Sequence, residues 1–168
     1  MKTIPLTKGK EAIVDDEDFE WLSQWKWCTK VSWRGNTEIF YAVRGKGPRK
    51  AMKIFKIHRV IMNAKPGQII DHINGDGLDN RRCNLRFVTA SQNSWNTRPG
   101  GRGSSRFKGV SWSKPKKKWR AYINLNNRQQ HINHCELELQ AAFAYNIRAI
   151  LLFGEYACLN NVWTIRKK

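Results

Sequence analysis

The sequence predicts an α+β protein of two small domains, a strand-rich N-terminal half followed by a three-stranded antiparallel sheet packed on one helix. Three observations carry that expectation. Short apolar or alternating runs bounded by Gly, Pro and Asn turns recur along the chain and read as strands. Residues 136–153 repeat their apolar side chains at helical spacing. Between the halves, residues 96–105 hold only polar residues, Gly and Pro, without periodicity, which is the composition of a linker. The expected boundaries are a first domain over residues 1–97, a linker over 98–105 and a second domain over 106–168.

In chain order, residues 4–6 and 12–14 are expected as short strands around the turn Lys8-Gly9-Lys10. Asp15-Asp16-Glu17-Asp18 stacks negative charge where a helix would begin, complementing its dipole, and Phe19, Leu22 and Trp25 supply the buried stripe. Residues 27–33 and 38–44 form a hairpin around Arg34-Gly35-Asn36, with Trp27, Cys28, Val31, Phe40, Ala42 and Val43 as its apolar positions. Residues 51–57 are a further strand running into a short helical piece, His58-Arg59-Val60-Ile61-Met62, before the turn Lys65-Pro66-Gly67. Ile69 and Ile70 belong to a strand, Asn84-Leu85-Arg86 leads into another, and Thr89 caps a helix over residues 90–96. Residues 107–113, 119–124 and 129–133 are three strands separated by turns at Lys114-Pro115 and Asn126-Asn127-Arg128. The closing helix presents Leu139, Ala142, Phe143, Ile147, Ile150 and Leu151 as an apolar face and stops at Gly154. No internal repeat is present.

Charge narrows the partner. Of 168 residues, 31 are Lys or Arg and 13 are Asp or Glu, a formal net charge of +18. Six of the 13 acids lie between Glu11 and Glu20. Eight basic residues and no acid lie between Glu38 and Asp71, and nine basic residues and no acid between Arg98 and Arg120. A merely solvated surface mixes the signs, so this segregation predicts a polyanion. The basic stretches contain Gly, Pro and strand-like alternation where a membrane surface would require a basic amphipathic helix, so the expected partner is nucleic acid, with no membrane and no small-molecule substrate. No apolar run reaches the roughly 18 residues of a membrane span, and the N-terminus lacks the apolar stretch of a signal peptide, which predicts an intracellular protein. Cys28, Cys83, Cys135 and Cys158 stand singly, so neither a zinc ribbon nor a disulfide framework is expected; Cys83 reads as a small packed residue.

The chemistry concentrates in Ile69-Ile-Asp-His-Ile-Asn-Gly-Asp-Gly-Leu-Asp-Asn-Arg-Arg-Cys-Asn-Leu-Arg-Phe-Val-Thr-Ala-Ser-Gln-Asn-Ser-Trp-Asn96. An apolar strand end delivers an Asp-His pair, a Gly-rich polar loop follows, and a second strand leads to a helix carrying Asn93. The loop lacks the Glu that an EF-hand needs at its twelfth position. With the lead-in Lys10-Glu-Ala-Ile-Val-Asp-Asp-Glu-Asp-Phe-Glu-Trp-Leu22 and the His58–Met62 element, these residues resemble the HNH nuclease motif in the form found in phage and intron-associated homing endonucleases. The resemblance covers roughly the first 97 residues.

The resemblance implies a ββα-metal fold, a hairpin on a helix gripping one divalent cation, in the cytoplasm of a bacterial or phage-infected host. By position it makes Asp71 and Asn93 the metal ligands, His72 the general base, and Asn84 a brace of the loop backbone that orients His72. The residue types suit the task. Phosphodiester hydrolysis needs a water deprotonated near neutral pH, which an imidazole does. It also needs a cation at the scissile phosphate and the departing 3′ oxygen. An Asp and an Asn supply hard oxygens and leave positions open, which favours Mg²⁺ or Mn²⁺ over zinc. Neighbouring strand residues point to opposite faces, so Asp71 and His72 require a strand end or distortion to converge, and Gly75 and Gly77 provide for a bend. Asn80 and Asn84 both read as loop braces. His58 reads as a structural or phosphate-contacting residue, with Arg59 beside it on DNA.

Phe107-Lys-Gly-Val-Ser-Trp112, Lys118-Trp-Arg-Ala-Tyr-Ile123, Glu138-Leu-Gln-Ala-Ala-Phe-Ala-Tyr145 and Gly154-Glu-Tyr-Ala-Cys-Leu-Asn160 resemble the Apetala-2-type DNA-binding domain of ethylene-response transcription factors, over about residues 104–161. That family lays its sheet in the major groove with the helix behind. Two-residue alternation then turns Trp119, Ala121 and Ile123 to the helix and Arg120, Tyr122 and Asn124 to DNA. Ala141, Ala142, Ala144 and Ala149 let the helix sit close. By the same resemblance Lys108, Ser111, Ser113 and His131 fall at contact positions. Lys116, Lys117 and Lys118, with Arg128, add phosphate contacts, and Trp112 packs or stacks on sugar. A metal pair of His131 and His134 lacks any further ligand at zinc-finger spacing.

The combined expectation is a metal-dependent DNA endonuclease that docks on duplex DNA through its C-terminal module, as a monomer or weak dimer. The rivals are a non-catalytic DNA-binding regulator with a degenerate nuclease fold and a structured-RNA binder, the latter disfavoured because a sheet reads the RNA groove poorly.

Overall fold

A computed structural model describes residues 1–48, 51–100 and 103–162. It is a mixed α+β chain that divides into two compact units, Met1–Ser94 and Trp95–Lys168. Among the described residues the strands form four small antiparallel sheets, and no helix is long and apolar enough to cross a membrane.

In the first unit, β1 (Lys2–Pro5) pairs with β2 (Glu11–Val14). The acidic run then opens α1 (Asp16–Leu22). Its acids do more than face a helix dipole. Asp18, 1% exposed, takes a two-pronged ion pair from Arg82, with Nε to Oδ2 and Nη2 to Oδ1 both at 2.8 Å. The Arg82 backbone N–H donates to Asp15. The helix stops at Leu22, so Trp25 lies beyond it, yet still packs on the core with edge-on contacts to Trp21 and Trp27.

A three-stranded sheet follows, with β4 (Thr37–Lys46) between β3 (Cys28–Arg34) and β5 (Lys53–Lys56), and α2 (Ile57–Ile61) continues directly from β5. The core gathers Ile4, Val14, Leu22, Trp27, Ala42, Ile57, Ile61 and Leu85. Cys28 and Cys83, both expected among packed positions, are exposed. The pair β6 (Ile69–His72) and β7 (Leu85–Val88) precedes α3 (Ala90–Trp95). Thr89 and Gln92 cap α3 reciprocally, side chain to backbone in each direction.

The second unit orders its sheet β10–β9–β8, with β8 (Val110–Ser113), β9 (Lys118–Leu125) and β10 (Arg128–Cys135), and packs α4 (Glu138–Phe153) on one face. The face of α4 that meets the sheet is Ala141, Ala142, Tyr145, Ala149 and Phe153. The large residues expected there, Leu139, Phe143, Ile147, Ile150 and Leu151, are 41–73% exposed. Alanines hold three of those five positions, and the helix lies close to the sheet: a Cβ on Gly109, whose φ is +69°, would stand 2.1 Å from the Tyr145 ring.

The segment expected as a linker is flanked and fastened by specific contacts. Trp95 stacks on Phe153 with ring centroids 4.5 Å apart. The Ser105 hydroxyl donates to Glu138 at 2.6 Å and accepts the Phe107 N–H, and Ser104 accepts the Trp112 N–H. Small hydroxyl residues therefore fasten the end of this segment to the second unit. Arg102, within it, lies outside the described residues.

Candidate functional site

Asp71 and His72 close β6, where the register sets Asp71 opposite Arg86 and His72 opposite Leu85. The strand turns immediately afterwards: the Ile73 N–H donates to the Asn84 carbonyl and the Gly75 N–H to the His72 carbonyl, with Gly75 at φ +73°. Asp71 and His72 are each 7% exposed. The loop that follows is held by its own side chains. Asn84 accepts the Asn74 N–H on Oδ1 at 3.0 Å and donates from Nδ2 to the Asp79 carbonyl at 2.7 Å and to Asn74 Oδ1. Asp79 in turn takes both prongs of Arg81 and the Asn74 amide, which lowers its carboxyl pKa. The loop hooks onto β2 through the Ile13 N–H to Leu78 and the Asn80 N–H to Ile13.

Asn80, fully buried, is the brace that touches His72. Its Nδ2 donates to the Leu78 carbonyl, which turns Oδ1 toward His72 Nε2 at 3.3 Å. An amide oxygen only accepts, so Nε2 carries the proton and Nδ1 is the basic nitrogen of the neutral ring. Burial lowers the His72 pKa, opposed by the Asn80 hydrogen bond and by the charges of Asp71, Asp76 and Asp79. The ring is therefore kept in the unprotonated form that a base requires.

His58 and Tyr41 complete the walls. The His58 ring meets the His72 ring edge to face, centroids 4.9 Å apart at 88°, and Tyr41 lies 5.9 Å from His58 and 6.1 Å from His72. The loop approaches β4 so closely that a Cβ on Gly77 would stand 2.4 Å from the Phe40 carbonyl oxygen. His58 is 5% exposed, and its pKa is lowered to about 3, first by burial and then by His72, Lys56 and Arg59.

Arg59, expected on DNA, spends its guanidinium on the turn between α2 and β6, donating to the carbonyls of Gln68, Lys65 and Ala64. Asn93 lies half-buried on α3, its N–H on the Thr89 carbonyl.

Asp71 receives Arg86 Nε at 3.2 Å and Nη2 at 3.0 Å, both on Oδ2. Among the described residues, no three His, Cys, Asp or Glu gather as a metal cluster. A buried carboxylate on β6 and an amide oxygen on α3 are hard donors of the kind a divalent cation takes, its shell completed with water and phosphate.

In the second unit the register places Ser111, Ser113, Lys118, Arg120, Tyr122, Asn124 and His131 on the sheet face away from α4. Arg120 lies over the Tyr122 ring and donates to Gln129, and Lys118 pairs with Glu136. Lys116 and Lys117 are exposed in the β8–β9 turn. Two expected contacts fall elsewhere. Arg128 is in register with Leu125 and so belongs to the helix-facing side. Lys108 directs its ammonium to the Trp95 carbonyl, while Asn160 holds the Lys108 backbone at both N–H and C=O. The bonds of Asn80, Arg86 and Asn160 were not evident in the sequence, where each is one polar residue among many.

A family model described as HNH endonuclease matches residues 55–95. Protein 3.8 of Escherichia phage T7 is 34% identical over 91 residues, 54% of this chain and 74% of that protein. An uncharacterized HNH endonuclease of Acanthamoeba polyphaga mimivirus is 32% identical over 158 residues, 92% of this chain and 77% of that protein. No solved structure matches the chain.

Proposed function

The chain belongs to the HNH endonuclease family and is a nuclease, and from that premise we propose that it hydrolyses phosphodiester bonds in duplex DNA with His72 as general base. The observation that carries this reading is the Asn80–His72 contact, which leaves Nδ1 of a buried, neutral imidazole as the proton acceptor beside Asp71. His72 Nδ1 takes the proton of the attacking water. Asn84 keeps the His72–Gly75 turn in place, and Asn80 keeps the ring in one tautomer. Asp71 and Asn93 are the residues that would hold a divalent cation, Mg²⁺ or Mn²⁺. Bound there, the ion would offset negative charge on the scissile phosphate and the departing 3′ oxygen.

The second unit is an Apetala-2-like module that docks on duplex DNA, and the protein acts in the manner of a homing endonuclease. Support comes from the +18 charge and from a sheet face bearing Arg120, Tyr122, Asn124 and His131 with the Lys116–Lys117 turn at its edge.

Plasmid nicking with Mg²⁺ or Mn²⁺, with and without chelator, tests the reading. His72→Ala should lower the rate by about 10²–10⁴-fold at nearly unchanged DNA affinity. Wild-type protein that binds duplex DNA without ever cutting it would favour a non-catalytic regulator.

A further inference from the structure

Resting on the reading of His72 as the base, we propose that His58 is a positioning residue for it, a buried imidazole whose edge-on contact fixes where the His72 ring stands. Three observations on His58 itself support this. It is 5% exposed, and its ring meets His72 at 4.9 Å and 88°. Its Nδ1 is buried with no hydrogen-bond partner among the described residues. It is the second residue of α2, which follows directly on β5, a strand paired to β4, which carries Tyr41, so the contact comes from a packed element and not from a loop.

The orphaned nitrogen is informative. A buried polar atom without a partner costs stability, and a phenyl ring would fill the place without that cost. A phenyl ring is also wider than an imidazole. At a centroid distance of 4.9 Å, with Tyr41 behind, it would push His72 out of line with Asn80. The narrower imidazole keeps its edge-on contact with His72 and leaves His72 in line with Asn80. Displacing a reacting group by about 1 Å can cost about 10²-fold in rate.

His58→Phe and His58→Gln separate positioning from mere packing, measured on the intact protein by single-turnover plasmid nicking with His72→Ala alongside. The expected result for His58→Phe is a thermal midpoint at or above wild type and a kcat lower by about 10–100-fold. KM for DNA and the metal concentration for half-maximal rate should stay unchanged. His58→Gln, planar and smaller, should keep His72 nearer its place and lose less. The His72 ring signals in a long-range ¹H–¹⁵N spectrum should shift in His58→Phe. His58→Phe cutting at the wild-type rate, with His72→Ala inactive, overturns this inference alone. His72→Ala cutting within a few-fold of wild type overturns the base assignment and the inference with it.

Discussion

Asp71 and Arg86 face each other across the β6–β7 ladder, and both guanidinium bonds land on one carboxylate oxygen, Oδ2. Their side chains are 9% and 12% exposed, so the pair is largely out of water. Arg86 therefore holds the carboxylate that a divalent cation would also claim. Replacing Arg86 by Gln should leave the buried Asp71 carboxylate without its guanidinium, at a cost of up to about 3–5 kcal/mol in the metal-free protein. It should also remove a positive charge from beside the cation. Thermal unfolding over a Mg²⁺ series checks this: the variant should start lower and gain more stability from Mg²⁺ than wild type does. Equal gains in both would separate Arg86 from the metal.

His58 makes a separate prediction about pH. Its ring has a pKa of about 3 in the folded protein against 6.5 unperturbed. Between those values the unfolded chain holds a proton that the folded chain excludes, so unfolding is favoured by acid. The contribution is complete above pH 6.5 and is lost as pH falls toward 3, by up to about 1.4 kcal/mol per pH unit. Urea unfolding of wild type and His58→Gln from neutral pH to about pH 4.5 should show the shallower acid dependence in the variant. Parallel curves would mean that His58 is protonated in the folded state.

The inner face of α4 is where added volume should hurt. Ala142 and Ala149 are fully buried against the sheet, whereas Ile150 is 51% exposed. Ala142→Leu should destabilise by about 1–3 kcal/mol or more through overpacking. Ile150→Gln should change stability by no more than about 0.5 kcal/mol. Denaturant midpoints of the intact protein rank the two, and the opposite ranking would place the large apolar residues in the core.

That last contrast also marks how far the sequence could be read. Element types and turns are local, so alternation, Gly and Asn turns and the Thr89 cap made nearly every strand and helix legible. The loop brace of Asn84 was legible too, because the motif fixes its place relative to His72. The outward face of α4 was not. Apolar periodicity indicates a face but not which neighbour it meets, and here closeness of approach selected Ala over Leu and Ile. The contact of Asn80 with His72, the Arg86–Asp71 pair and the Asp18–Arg82 pair were hidden for a related reason. Their partners are set by register and loop closure, up to 64 residues apart in the chain. The protein partners of Arg59 and Arg128 were not legible either, because charge alone does not say which carbonyl or strand face a cation meets.

DNA binding by the second unit can be tested through that same distinction. Each phosphate contact that a cation makes adds about 0.9 to the slope of log affinity against log salt. Lys116 and Lys117 are exposed in the β8–β9 turn, and Arg120 stands on the face away from α4. Arg128 is equally a surface cation but lies in register with Leu125, on the helix-facing side. If the sheet face docks on DNA, replacing Lys116, Lys117 and Arg120 together by Gln should reduce the slope by about 2.7 when all three meet phosphate. Arg128→Gln removes the same kind of charge and should leave the slope nearly unchanged. Anisotropy titrations of a labelled duplex over a salt series without divalent ions measure both variants. A slope that falls as much per charge in Arg128→Gln as in the triple variant would reduce the effect to net charge, and an unchanged slope in the triple variant would take the sheet face off the DNA.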